Sequence, residues 1–257
     1  MKLDIAIPIH NESKNIQPLI TRLAETLIKT PNISYRIIFI DDMSSDNSLE
    51  IINNLIPTNP HIGYISTQKQ YGHQSALNLA LDHTTAEAVV TLDGDLQHPP
   101  ELIPTLVTAY SNGANVAQAA RTNFSLSLKD LSSFLFYKIF NLLFKNQIIP
   151  FAADFRLIDK KTNTLFKNIK KTNKILRAQI PSFNLKIATI TYQQQKRNAG
   201  KPAYNLKQDI SLTLKILSNT NSIIGNFLEK ILTTNIETPQ IKHKKLPTQF
   251  KNTPLYT

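Results

Sequence analysis

Short β-branched apolar runs alternate with longer amphipathic runs over the first 120 residues, and that alternation restricts the chain to a sheet joined by crossover helices. Residues 3–9, 35–40, 62–66, 88–92 and 116–120 are expected strands. Between the first two, 12–29 places Ile16, Leu19, Ile20, Leu23 and Leu27 at three- and four-residue spacing, and 48–55, 74–82 and 100–111 are further expected helices. A helix between successive strands implies parallel pairing, hence an α/β fold with an open, mainly parallel, Rossmann-like sheet flanked by helices. Such a sheet takes its ligand beyond the carboxyl ends of the strands. The polar residues of 8–12, 41–46, 70–74 and 93–99 all follow strands. No Gly-x-Gly-x-x-Gly follows the first strand, which argues against a dinucleotide and leaves a mononucleotide ligand open.

The second half reads differently. Residues 127–145 are rich in Leu and Phe with Lys129, Lys138 and Lys145 interspersed, a pattern that suits a core-packing helix or one lying in a membrane interface. A lysine-rich helical stretch at 160–180 reads as solvated surface, 186–192 as a late strand, 193–205 as a polar loop and 206–217 as a helix. Beyond 235 the chain is basic, proline-containing and aperiodic, so a loose tail is expected. The division is a catalytic domain at 1–217 and a C-terminal helix with basic tail at 218–257.

Residues 1–101 carry 6 basic and 12 acidic groups, whereas 102–257 carry 23 and 6. The basic part wants an anionic partner: nucleic acid, an acidic membrane surface or a phosphorylated substrate. Nucleic acid is disfavoured, because Asp41, Asp42, Asp93 and Asp95 repel phosphate without a metal and no recognition motif accompanies the lysines. With no Cys, disulfides and thiolate metal sites are excluded. No run of about 18 apolar residues is present to span a bilayer. The first residues lack the pattern of a secretory signal, and a cytoplasmic location is expected.

Asp93-Gly94-Asp95 closes the fourth expected strand. Two carboxylates there need a cation or several hydrogen-bond donors to stay ionised. Mg²⁺ or Mn²⁺ suits oxygen ligands and binds through one or two carboxylates plus substrate phosphates; a pair of turn-forming or helix-capping aspartates is the plainer alternative.

Taken together, IPIHNE (7–12), FIDDMSSDNSLEII (39–52), KQYGHQSALNLALDH (69–83), VVTLDGDLQHPPELIP (89–104) and ADFRLIDKK (153–161) resemble family 2 glycosyltransferases, and among them the polyprenyl-phosphate enzymes that make bactoprenol-phosphate glucose and dolichol-phosphate mannose. The resemblance runs over about residues 3–217. It implies an A-type glycosyltransferase fold and a nucleotide-sugar donor, UDP-glucose favoured. Carried over by position, Pro8, His10, Glu12, Asp41 and Asp42 surround base and ribose, Asp93 sits near the ribose, and Asp95 with Gln97, alongside Asp93, holds the metal on the diphosphate. His10 stands where the family usually has Tyr. His73 and Gln74 match the family's Gly-His-Gln, and Asp154 falls on the acceptor side as a general base, an orienting group or the partner of Arg156 in a buried ion pair.

Arg121, Arg156, Arg197, Lys201 and Tyr204 are the candidates for the acceptor phosphate, with Arg197 also counted as catalytic. In the late loop, Gly200-Lys201-Pro202-Ala203-Tyr204 keeps the family's Gly and Tyr and loses its Glu, Ser and Lys. The expectation is an inverting, metal-dependent transfer of a hexose to a polyprenyl phosphate by an enzyme peripheral on the inner, acidic face of the cell membrane, with room for a separate membrane-protein anchor. The alternatives are a glycan or glycolipid hydroxyl as acceptor, or a catalytically silent nucleotide-sugar-binding homologue.

Overall fold

The computed structural model describes residues 1–122, 149, 152–169, 174–195 and 238–252. The helix expected at 127–145, the one at 206–217, and Arg197, Lys201 and Tyr204 lie outside these residues. Strands β1 (Lys2–Ile9), β2 (Ser34–Asp41), β3 (Ile62–Thr67), β4 (Ala88–Thr91) and β5 (Val116–Arg121) alternate with helices α1 (Ser13–Ile28), α2 (Ser48–Leu55), α3 (His73–His83) and α4 (Ile103–Ser111). Then follow β6 (Ala152–Asp159), helix α5 (Lys160–Lys167), a single helical turn at Leu176–Gln179, β7 (Ile187–Tyr192), β8 (Ile241–Lys245) and β9 (Lys251–Asn252).

One sheet runs in the order β7-β5-β6-β4-β1-β2-β3-β8, with β9 against the start of β2. β1 pairs in parallel with β2 and β4, β2 with β3, and β5 with β7. β6 is wedged antiparallel between β4 and β5. The period-two alternation of the strands sorts their side chains onto two buried faces. Ile5 and Ile7, Ile37 and Phe39, and Phe155 and Leu157 meet Leu19 and Leu23 of α1 and Leu106 of α4; Ala6, Ile38, Val89 and Ile158 meet Leu77 and Ala80 of α3 and Phe166 of α5. The stretch at 160–180 therefore does more than solvate a surface: Phe166, Leu176 and Ile180 help close the second face.

At the amino ends of the strands a fully buried Asp4 is satisfied by Arg36 through Nε and Nη2, at 2.9 and 3.0 Å, and by the N–H groups of Thr85 and Ala86. A buried carboxylate with that many donors is structural.

The aperiodic, basic segment expected to be a loose tail is instead part of the sheet over 241–252. β8 lies antiparallel on β3, and β9 pairs Tyr35 with Lys251. Backbone ladder bonds hold it where composition does not, and the lysines stay outside because β8 is an edge. Gly63 makes room for it, since a Cβ there would run into the Lys245 carbonyl and the Pro247 ring. Phe250 lies under the Arg36 guanidinium, 4.3 Å from ring centroid to Cζ.

His61 is covered at this join and packs edge-on against Tyr35. Burial, and then the charge of Lys251, push its pKa down from 6.5 to about 4. The unfolded chain takes up a proton on this imidazole at a higher pH than the folded one, so its contribution to stability is complete above about pH 6.5 and is lost as pH falls towards 4. Urea midpoints of the parent and of His61→Gln, measured from pH 7.5 to 4.5, should show a flatter fall for the variant; parallel curves would exclude this role.

Candidate active site

Four loops after β1, β2, β3 and β4, together with the start of β6, converge at the carboxyl end of the sheet. Strain gathers there: Asn11, Met43 and Leu96, each just beyond one of these strands, sit at φ values of 57°, 58° and 63°. A non-glycine residue in that region is costly and is kept where the surroundings over-determine it. Gly94 is needed for another reason, because a Cβ would stand 2.6 Å from Ile9 Cγ2.

The loops after β1 and β2 are laced together. Asn11 Oδ1 accepts from Ser45 N and Asp46 N, while Asn11 N donates to Ser44 Oγ. Asp46 accepts from Ser48 N at the head of α2 and from Ser13 N at the head of α1, and Ser48 Oγ accepts from Glu12 N. Burial raises the Asp46 pKa, but the hydrogen bonds from Ser48 and Ser13 outweigh it and bring it below the usual value. Asp46 thus serves the starts of both α1 and α2, while Ser44 ties the two loops together.

The residues expected around base and ribose separate on inspection. Pro8 is buried in β1, His10 is exposed with Nδ1 2.8 Å from the Asp42 carbonyl, and Glu12 is half-buried and accepts from Asn15 Nδ2. Glu12 occupies the cap position of α1 without a side-chain capping bond. Asp41 is buried, and its pKa is raised by desolvation against the hydrogen bond from Ser44. Asp42 differs from its neighbour: both its oxygens are taken by the loop before α3, accepting from Tyr71 N at 2.8 Å and Gly72 N at 2.7 Å. Expected beside the donor, it is employed as the anchor of that loop.

The loop Asp42 anchors delivers His73 and Gln74 to a charged centre. His73 Nε2 stands 3.4 Å from Asp93 Oδ1 and 3.5 Å from Asp154 Oδ2, and Gln74 Nε2 donates to Asp154 Oδ2 at 2.9 Å. Burial lowers the His73 pKa, but Asp93 and then Asp154 outweigh it and lift it to about 9. The two carboxylates thus favour the protonated form of His73. Asp154 Oδ1 accepts from Arg156 Nη2 at 2.6 Å and faces Arg177 Nη2 at 3.4 Å. Desolvation raises the Asp154 pKa, yet Arg177 and Arg156 overcome it and hold the carboxyl well below the usual range.

Asp93 Oδ1 is buried and accepts no hydrogen bond, and Asp95 Oδ1 accepts from Gln97 N at 3.0 Å. Among the described residues no group of three or more His, Asp or Glu side chains converges to hold a metal unaided. Two carboxylates one residue apart, with Asp93 Oδ1 buried and accepting no hydrogen bond, fit a hard divalent cation that takes its other ligands from phosphate and water. Gln97 presents its carbonyl to Gln195 N, which brings the chain after β7 against the same loop.

Of the acceptor candidates, Arg121 is exposed at the end of β5 and donates to Gln194 Oε1. Arg156 is 0% exposed. The structure moves it from phosphate ligand to counter-ion of Asp154, because burial leaves it no outward face. Arg177 and His98 entered no expectation. His98 stacks on Phe155 with its Nδ1 3.5 Å from Asp93 Oδ2. The sequence signal for Arg177 is slight, one arginine in a stretch with six lysines.

Comparison with known proteins gives a family and a fold. The family described as Glycosyl transferase family 2 matches residues 4–166. Bactoprenol glucosyl transferase of Shigella phage SfX is 30% identical over 207 residues, covering 80% of this chain and 68% of that protein. An uncharacterised glycosyltransferase of Bacillus subtilis, YkcC, is 29% identical over 83% of this chain and 67% of its own length. The chain thus spans about two thirds of the length of these relatives. Among solved structures, mannosyl-3-phosphoglycerate synthase from Rubrobacter xylanophilus superposes with a TM-score of 0.65 at 14% identity, over 92% of this chain and 77% of that one. Glucosyl-3-phosphoglycerate synthase from Mycobacterium tuberculosis, in complex with Mn²⁺, UDP-glucose and phosphoglyceric acid, gives 0.63 at 15%, over 96% and 89%.

Proposed function

The chain belongs to glycosyl transferase family 2, with the A-type fold of that family, and from this premise we propose that it transfers a hexose, glucose in the leading case, from a nucleotide sugar to a polyprenyl phosphate. The state of Asp154 carries the choice of acceptor. A sugar hydroxyl must lose a proton as it attacks, so it needs a base of suitable pKa at hand. Asp154 is a poor one: its Oδ1 is in a 2.6 Å bond with Arg156, its Oδ2 takes Gln74, and its proton affinity is depressed. A phosphate monoester, with a second pKa near 6, is already largely dianionic at pH 7 and attacks with no proton to remove.

In this reading a phosphate oxygen forms the new bond to the anomeric carbon while the bond to the donor diphosphate breaks on the opposite side, inverting the centre. The electron pair leaves with the nucleoside diphosphate. A divalent cation at Asp93 and Asp95 would supply positive charge opposite that leaving group. Pro8, His10, Glu12 and Asp41 line the rim where base and ribose would lie, His73 balances the charge of Asp93 and Asp154, and Asp154 with Gln74 orients the neighbourhood of the attack. The bactoprenol glucosyl transferases among the relatives support both the sugar and the lipid acceptor.

No helix among the described residues is long and apolar enough to cross a membrane. Attachment is assigned to the basic second half, at about 1 kcal/mol for each lysine or arginine near an acidic leaflet. Attachment of that kind weakens with salt. Radiolabelled UDP-glucose, UDP-N-acetylglucosamine and GDP-mannose, each with Mn²⁺, should be offered a short polyprenyl phosphate and the alcohol of the same length. Organic-phase label from UDP-glucose with the phosphate alone is the expected result. Label on the alcohol or on a soluble glycan, and none on the phosphate, would replace this acceptor with a hydroxyl.

A further inference from the structure

Asp154 faces two guanidinium groups that are not equivalent. Arg156 is entirely buried, donates to Asp154 Oδ1 at 2.6 Å and to the Ala153 carbonyl at 2.7 Å, and is fixed within β6. Arg177 approaches the same oxygen only to 3.4 Å, from the helical turn Leu176–Gln179, and its side chain keeps 18% of its surface exposed. With Arg156 on Oδ1 and Gln74 on Oδ2, the carboxylate is satisfied without the second arginine. Of the two cations beside Asp154, Arg177 is the one that reaches solvent.

An acceptor phosphate arriving here meets Asp93, Asp95 and Asp154. Like charges at close range repel one another more strongly at a protein surface than in bulk water. His73 lies between Asp93 and Asp154, and Arg156 has no outward face. A planar fork of donors with solvent access is what a phosphate entering from outside requires.

We infer that Arg177 binds the phosphate of the acceptor, drawing it to the Asp154 side of the cleft. This rests on the polyprenyl-phosphate reading given above. In it, Arg177 meets the dianion with a short, two-pronged contact from its solvent-reaching side, and Asp154 keeps Arg156 as its partner throughout.

The test is calorimetric titration of the full chain with a short-chain prenyl phosphate and, separately, with UDP-glucose and Mn²⁺, comparing the parent with Arg177→Gln and Arg177→Lys. Loss of a charged hydrogen-bonding group predicts roughly 10- to 100-fold weaker prenyl-phosphate binding in Arg177→Gln, partial recovery in Arg177→Lys, and nucleotide-sugar binding within about twofold of the parent. In turnover assays the same substitution should raise the acceptor KM more than it lowers kcat. Unchanged prenyl-phosphate binding in Arg177→Gln would remove Arg177 from the acceptor site and leave the functional reading intact. An equal fall in donor and acceptor binding would make its role structural and overturn the inference. A parent protein that binds no prenyl phosphate would overturn this inference together with the reading beneath it.

Discussion

Asp95→Ala is expected to lose at least about a thousandfold in transfer rate, since positive charge at a leaving diphosphate is worth several kcal/mol and each 1.4 kcal/mol is a factor of ten. The fold should survive. Asp95 is nearly buried, and its Oδ1 accepts from the N–H of Gln97, two residues on in the same loop. Losing such a bond costs about 1–3 kcal/mol. Calorimetry with UDP-glucose in the presence and absence of Mn²⁺ separates the causes: the parent should gain donor affinity from the ion and the variant should not. Asp95→Asn, which keeps the shape and the acceptor for Gln97, should fail in the same way. A variant that turns over like the parent, with the same response to Mn²⁺, would remove the cation from this account.

The second large effect is on stability. Arg156→Met should destabilise the protein by about 3–5 kcal/mol, because Asp154 would lose its closest counter-charge inside the cleft. For a chain of this size that is a fall in melting temperature of roughly 6–20 °C. Removing both charges is different in kind, because Asp154→Leu with Arg156→Met takes away the closest pair together. Although His73 and Arg177 lose a counter-charge, the double variant should be more stable than either single variant. Differential scanning calorimetry of the four proteins closes the cycle. Single and double variants that melt within two degrees of the parent would show the pair to be incidental. The same arithmetic makes Asp154→Asn a weak probe of general-base chemistry, since it disturbs the fold as well as the proton.

The strands from β1 to β5 and the helices between them were legible because each is a local pattern: period two for strands, period 3.6 for helices, with every change of period marked by polar residues. The placement of β6 was not. Its alternation of Asp154 and Arg156 on one face with Phe155 and Leu157 on the other is present in the sequence, but its insertion antiparallel between β4 and β5 is decided by distant partners. β8 was hidden for a different reason. Ile-Lys-His-Lys-Lys has the composition of a solvated tail, and it becomes a strand only because β3 offers an open edge and Gly63 an open face.

Within the site, the acidic residues were found by motif, but their division of labour was not. Asp41 and Asp42 are indistinguishable on paper, and only the fold turns the second towards Tyr71 and Gly72. Arg177 was lost among lysines because its significance is a matter of which carboxylate it faces.

The loop after β2 serves the starts of both α1 and α2 through Asp46 and Ser48 and is itself held by Asn11, which has a bearing on redesign. Replacing the loop after β2 alone would take from the start of α1 its acceptors Asp46 and Ser48, and replacing the loop after β1 alone would take from Ser45 N and Asp46 N their acceptor Asn11. Transplants should carry both loops together, because the contacts that hold them run across 30-odd residues of intervening chain.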